Sequence, residues 1–173
     1  MEALKCSCCG GDVRVNADKS IAECLYCGSK LPIPKSVGRQ VRLYNRATML
    51  RMNQDFDMAA QTYQEILIDE NNEPEAYWGI ALCRYGIEYV RDDKNGQMIP
   101  TCHRMRLDSF LDDQDYQKAV GNADEEKKTY FLQEGQKIDR ILQDLLHIVY
   151  QQKPFDVFLC YKETDYAGNR TED

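Results

Sequence analysis

Two copies of one short pattern, Cys6-Ser7-Cys8-Cys9-Gly10 and Cys24-Leu25-Tyr26-Cys27-Gly28, constrain this chain more than anything else in it. Each is a C-x-x-C-G, and fourteen residues lie between Cys9 and Cys24. Such a pair places two thiolates on one side of a tight turn. The Gly after the second Cys permits the positive φ that lets backbone N–H groups point at sulfur. Two knuckles supply four sulfurs in a tetrahedral set, which favours Zn2+ held at about 2.3 Å per sulfur. The residues read as ligands are Cys6, Cys9, Cys24 and Cys27. Between the knuckles Val13 and Val15 alternate with polar residues, Asn16-Ala17-Asp18-Lys19 reads as a turn, and Ile21 resumes the apolar face. A short hairpin is expected there.

Residues 1–34 therefore read as a small β zinc ribbon. A piece of this size with few large apolar side chains buries too little surface to fold alone. A structural zinc contributes on the order of 10–16 kcal/mol in comparable small sites, enough to decide the question. With all four positions filled by protein, no coordination site stays open for a catalytic water, so the expected role is structural. Disulfides or free thiols are the alternative use of these cysteines. Cys8 leaves a second choice: a C-x-C pairing through Cys6 and Cys8 competes with Cys6 and Cys9. Cys9 restores the symmetry with Cys24 and Cys27, and Cys8 then stands as a spare thiol near the metal.

The remaining cysteines, Cys83, Cys102 and Cys160, are scattered, which suits a reducing cytoplasm with bound zinc better than a disulfide framework. No stretch reads as a secretory signal, and no apolar run is long enough to span a bilayer. The formal net charge of −7 argues against nucleic-acid binding by the whole chain. Residues 1–53 nevertheless carry an excess of Lys and Arg, and the acids concentrate after them. Arg39, Arg42 and Arg46 are read as a solvated helix face or as a surface docked on the acidic half; contact with nucleic acid is the third use.

Leu31-Pro32-Ile33-Pro34-Lys35 is read as a stiff, extended separator between ribbon and helices. Residues 35–153 then change to a helical period. Val41, Tyr44, Ala47, Leu50 and Met52 line a first helix that ends near Asn53. Asp55-Phe56-Asp57 starts a second, with Ala59, Ala60, Tyr63, Ile66 and Leu67 on one face. Pro74 opens a third, carrying Ala76, Tyr77, Ile80, Ala81 and Tyr85. Ala47, Phe56, Ala59, Tyr63 and Pro74 fall near the small, aromatic and proline positions of a tetratricopeptide repeat, which this region resembles over little more than one repeat. Fewer than three repeats do not stand alone, so this hairpin must pack on something else. Ordinary helix packing and a peptide groove are both open readings of its faces.

Gly86–Arg91 and Gln97–Pro100 flank Asp92-Asp93-Lys94-Asn95-Gly96, two β-prone runs around Asn-Gly, so a β-hairpin is expected over about 86–100. Cys102-His103 has no second Cys/His pair to complete a site and is read as structural. A short helix is expected from Asp115 to Ala123, and Asp124 caps a long one running to about Gln152, with Gly135 marking a close crossing. Asp92-Asp93 and Asp112-Asp113 are read as solvated turn acids. No Walker loop, GxGxxG, G-x-S-x-G or HExxH occurs, so no catalytic residue is assigned.

Pro154 closes the helical stretch, and Phe155-Asp156-Val157-Phe158-Leu159-Cys160-Tyr161 follows as an almost continuous apolar run, the mark of a strand buried on both faces. Lys162-Glu163-Thr164-Asp165 opens a polar loop, and Thr171-Glu172-Asp173 looks like a helix N-terminus. Residues 154–173 resemble the opening of a Toll/interleukin-1 receptor (TIR) domain, matched at Phe155, Asp156, Val157, Phe158, Leu159 and Tyr161, with Cys160 where that family often has Ser. Gly168-Asn169-Arg170-Thr171-Glu172-Asp173 is similar to the entry to the first helix in bacterial members. The expected fold is thus mostly α, tetratricopeptide-like, with an N-terminal β zinc ribbon and the first strand of a truncated α/β TIR domain.

The resemblance implies self-association through a complete TIR domain and, in the full-length parent, cleavage of NAD at the nicotinamide–ribosyl bond or its cyclisation. It also implies that Lys162 faces the NAD pocket, that Glu163 is not the family's catalytic glutamate, and that this fragment alone is inactive. Two functional readings follow. Residues 1–153 are a regulatory or oligomerisation platform for such a signalling protein, binding protein partners through the helices; or the chain is a zinc-ribbon/helical adaptor without enzymatic role.

Overall fold

The computed structural model describes residues 3–16 and 19–151; the pair 17–18 and the TIR-like segment with Lys162 lie outside them. The described chain is mostly helical with small antiparallel sheets. Strands β1 (Leu4–Lys5) and β2 (Asp12–Val13) pair with each other, as do β3 (Ile21–Glu23) and β4 (Lys30–Pro32). The hairpin expected between the knuckles is therefore replaced by one hairpin around each knuckle. The physical reason is local: each C-x-x-C-G is itself the turn, so the strands that can reach each other are those on either side of it.

Helices α1 (Val37–Met52), α2 (Phe56–Asp69) and α3 (Pro74–Arg84) follow and pack in sequence order. Their starts obey the sequence signals: Asp55 accepts from the Met58 amide at 3.4 Å, and Pro74 occupies the first turn of α3, where a missing N–H costs nothing. The hairpin β5 (Ile87–Arg91) with β6 (Met98–Cys102) comes next, in a register that sets Tyr89 opposite Pro100. A 3-10 turn at Phe110–Asp112 leads to α4 (Gln114–Asn122) and α5 (Glu125–Gln151). Among the described residues no helix is long and apolar enough to cross a membrane.

One apolar cluster runs from Leu4 and Val13 in the ribbon to Leu142 in α5. Its centre is Trp78 of α3, whose ring meets Phe131 at 5.1 Å, Phe110 at 5.6 Å and Tyr116 at 6.1 Å between centroids. Leu31, Pro32, Ile33 and Pro34 are all buried, so the segment read as a stiff, extended separator is also part of the core. Apolar side chains flanking two prolines find more stabilisation against the helices than in water.

Two glycines let aromatic rings lie against helix backbone. A Cβ on Gly79 would sit 2.5 Å from Cζ of Tyr63, and one on Gly135 would sit 2.6 Å from Cε2 of Tyr116. Gly135→Ala is expected to destabilise despite the roughly 1 kcal/mol that Ala gains in a helix interior, because overpacking costs about 1–3 kcal/mol. A denaturant midpoint at or above that of the unaltered protein would show that the crossing is looser than this.

The helix starts also gather buried charge. Glu73 accepts from the amides of Lys35 at 2.9 Å and Ser36 at 3.1 Å, capping α1 from the far side of the fold. Beside it Glu75 is 6% exposed and lies 2.5 Å from Nζ of Lys127, which is 1% exposed at the start of α5. Asp113, expected to be a solvated acid, is buried: it accepts from the amides of Asp115 and Tyr116 to cap α4 and pairs with Arg84.

Candidate metal centre

The two hairpins are one structure used twice, eighteen positions apart. Leu4 faces Val13 as Ala22 faces Leu31. Cys6 N–H donates to Gly11 O at 2.8 Å, and Cys24 N–H donates to Ser29 O at 2.9 Å. Gly10 N–H returns to Cys6 O at 2.9 Å, and Gly28 N–H to Cys24 O at 2.8 Å. Gly10 and Gly28 have φ of 73° and 70°, the left-handed conformation that a Cβ disfavours. Identical hydrogen bonds from a shared motif give two identical cups, and they face each other.

Between the cups the Sγ atoms of Cys6, Cys9, Cys24 and Cys27 all lie within 4.8 Å of one another. Cys6 and Cys27 are 3.8 Å apart at sulfur, and Cys9 and Cys24 are 3.6 Å apart. A regular tetrahedron with metal–sulfur bonds of about 2.3 Å has edges of about 3.8 Å, so these sulfurs already stand at coordination spacing. Disulfides do not form among them: all seven cysteines of the described residues are free thiols. The donor set fits a divalent, thiophilic cation, with Zn2+ the natural choice in an S4 set.

Three of the four thiols in this volume resist ionisation. Burial pushes Cys9 up to about 12, and Cys6 rises further through its hydrogen bond with the Cys8 side chain and through burial. Cys24 is raised by burial as well. Cys27 goes the other way: burial opposes it, but hydrogen bonds with Ser29 outweigh that and bring it to about 7. A metal bound here displaces protons, so its affinity falls on acidification.

What sequence reasoning missed is the attachment of the centre to the helices. Arg51 of α1 is 1% exposed, donates from Nη1 to Ile87 O at 2.8 Å, and donates from Nη2 to Ser7 O, inside the first knuckle. Asn45 clamps the edge of β1, accepting from Lys5 N–H and donating to Ala3 O, each at 2.8 Å. Ser20 donates to Asp124 at 2.9 Å, tying the second hairpin to the start of α5. No local pattern marks Arg51, which sits on the apolar face of α1 as a charge among hydrophobes.

The other candidates resolve simply. Cys102 donates through sulfur to Tyr85 O at 3.1 Å and Arg104 O at 3.2 Å, and His103 Nε2 pairs with Glu88 at 2.8 Å. Both are structural contacts of the β5–β6 hairpin. Arg39, Arg42 and Arg46 are exposed, and Arg39 pairs with Glu70 of α2. No family model, curated protein or solved structure matches the chain.

Proposed function

We propose that residues 3–151 are a metal-stapled, non-catalytic platform that binds protein and carries the TIR-like segment at the end of α5. The observation that supports a structural metal is the closed set of four sulfurs, with Arg51 bolting one knuckle to the helical core. A site of this kind holds shape and leaves no position for substrate. Zn2+ would be held by Cys6, Cys9, Cys24 and Cys27 and supplies a fixed tetrahedral crosslink. The effector reading rests on the resemblance over 154–173: the platform brings copies together, and the full-length parent hydrolyses NAD, with Lys162 facing the nucleotide.

The experiment is made on the reading frame past Asp173. A continuation of alternating strands and helices, joined to this chain and clustered by a fused dimeriser, is expected to consume NAD; the chain ending at Asp173 is expected to leave NAD intact. A stop codon at that point, or a clustered longer protein that spares NAD, favours the adaptor. The adaptor reading has its own support. Leu25 and Tyr26 at the tip of the second knuckle are 73% and 67% exposed, an apolar pair offered to a protein surface.

A further inference from the structure

The eighteen-residue offset between knuckles sets Cys8 where the second has Tyr26, and the two side chains turn opposite ways. Tyr26 faces outward against Gly11, whereas Cys8 is only 5% exposed. The Cys8 amide donates to Cys6 Sγ at 3.4 Å. Cys8 thus lies beside a ligand sulfur. It also lines a cavity of about 280 Å³ with Cys27, Tyr89, Met98, Tyr130 and Lys137. A space that size admits water and small solutes to an otherwise buried sulfur. The tetrahedral set does not need this fifth thiol, yet the fold places it against a ligand and opens a cavity to it.

We propose that Cys8 is an oxidation site, at which a hydroperoxide-class oxidant triggers disulfide formation with a metal ligand, Cys6, and so releases the metal. The proposal rests on the reading of Cys6, Cys9, Cys24 and Cys27 as ligands. In the first step the Cys8 sulfur attacks the peroxide; an S–O bond forms, the O–O bond breaks, and Cys8 becomes a sulfenic acid while one water leaves. In the second the metal-bound Cys6 thiolate attacks the Cys8 sulfur; an S–S bond forms, the S–O bond breaks, and the departing hydroxide takes a proton from solvent to become a second water. One thiol and one thiolate have given up two electrons to one hydrogen peroxide, with one proton from the Cys8 thiol and one from solvent. The cation keeps three of its four sulfurs and becomes exchangeable.

Zinc-loaded protein treated with hydrogen peroxide, with release followed by a chromogenic chelator, tests this. The Cys8→Ser variant is expected to start with the same zinc content and to release it at least ~tenfold more slowly, since its attacking sulfur is gone. Peptide mapping of the oxidised wild type is expected to show Cys8 joined to Cys6, and dithiothreitol with added zinc to restore the metal. Equal release rates, or a disulfide among ligands that omits Cys8, overturn the proposal. So does a Cys8→Ser protein purified without metal, because Cys8 would then itself be a ligand. A wild-type protein that holds no metal defeats the ligand reading instead, and the oxidation site with it.

Discussion

Stripping the metal with a strong chelator is expected to collapse the ribbon and to lower the melting temperature of the helices by at least ~10 °C, each kcal/mol lost being worth about 2–4 °C in a chain this long. The first part follows from size. Strands of two and three residues pair around the knuckles, and the ladders are too short to hold without the crosslink. Structural zinc supplies on the order of 10–16 kcal/mol in comparable sites. The second part follows from Arg51. Once the first knuckle opens, Ser7 O leaves, and a guanidinium 1% exposed keeps its bond to Ile87 O and its place over the Tyr89 ring, with its Nε already lacking a partner. A buried charge stripped of a partner is costly, so the damage spreads into α1 and β5. Leu31 to Pro34 lose their anchor at the same time. Cys9→Ser is the genetic counterpart and is expected to purify with most of its metal gone. Near-full occupancy in that variant contradicts the ligand set, and unchanged melting after chelation contradicts the coupling through Arg51.

The features legible in the sequence were those encoded within a few residues. C-x-x-C-G spacing carries both knuckles, since turn, ligands and positive-φ glycine occupy five consecutive positions. Asp55, Pro74 and Asp124 announce helix starts because a cap acts on amides two or three residues away. Asn95-Gly96 marks the β5–β6 turn for the same reason. Gly135 was legible as a close crossing, though not that Tyr116 would fill it. The long-range pairs were not legible. Arg51 reaches Ser7 and Ile87 across the fold, and Glu73 caps a helix that begins 37 positions earlier than its own α3. Charged residues are seldom fully buried, so a pattern reader assigns Arg51, Glu75 and Lys127 to the surface by default. Leu31-Pro32-Ile33-Pro34 misleads in the opposite direction: the prolines suggest a spacer, but the side chains between and around them have apolar area to bury.

Lys127→Met is expected to destabilise the protein by about 3–5 kcal/mol at neutral pH, whereas Glu75→Gln matches the unaltered protein near pH 4.5 and is the more stable of the two at neutral pH and above. The asymmetry comes from counting charge in a dry place. The Glu73 and Glu75 carboxyls are neighbours, and one ammonium, Lys127, lies 2.5 Å from Glu75. Burial resists Glu73 ionisation, but hydrogen bonds with Glu75 and Ser36 and the Lys35 and Ser36 amides outweigh it and keep its carboxyl below the usual range. Burial first, then proximity to Glu73, lifts Glu75 to about 8 against an ordinary 4.5, with Lys127 only partly offsetting the rise. At neutral pH the group therefore holds one carboxylate, one ammonium and one proton shared between the acids, and is neutral. Lys127→Met leaves Glu73 as an uncompensated buried anion. Glu75→Gln keeps the shape of the protonated acid, donating to Glu73 and accepting from Lys127. The pH profile carries the sign. Because the folded value of Glu75 lies above the unfolded one, its contribution is fully present below pH 4.5 and is lost as pH rises through about 8. A shift of that size corresponds to a change on the order of 5 kcal/mol. The urea midpoint of Glu75→Gln relative to that of the unaltered protein should climb from pH 5 to about pH 8 and hold level above it. A relative midpoint that stays level throughout, or a Gln variant as unstable at pH 7 as Lys127→Met, means that Glu75 is ionised at neutral pH and that the shared proton is absent.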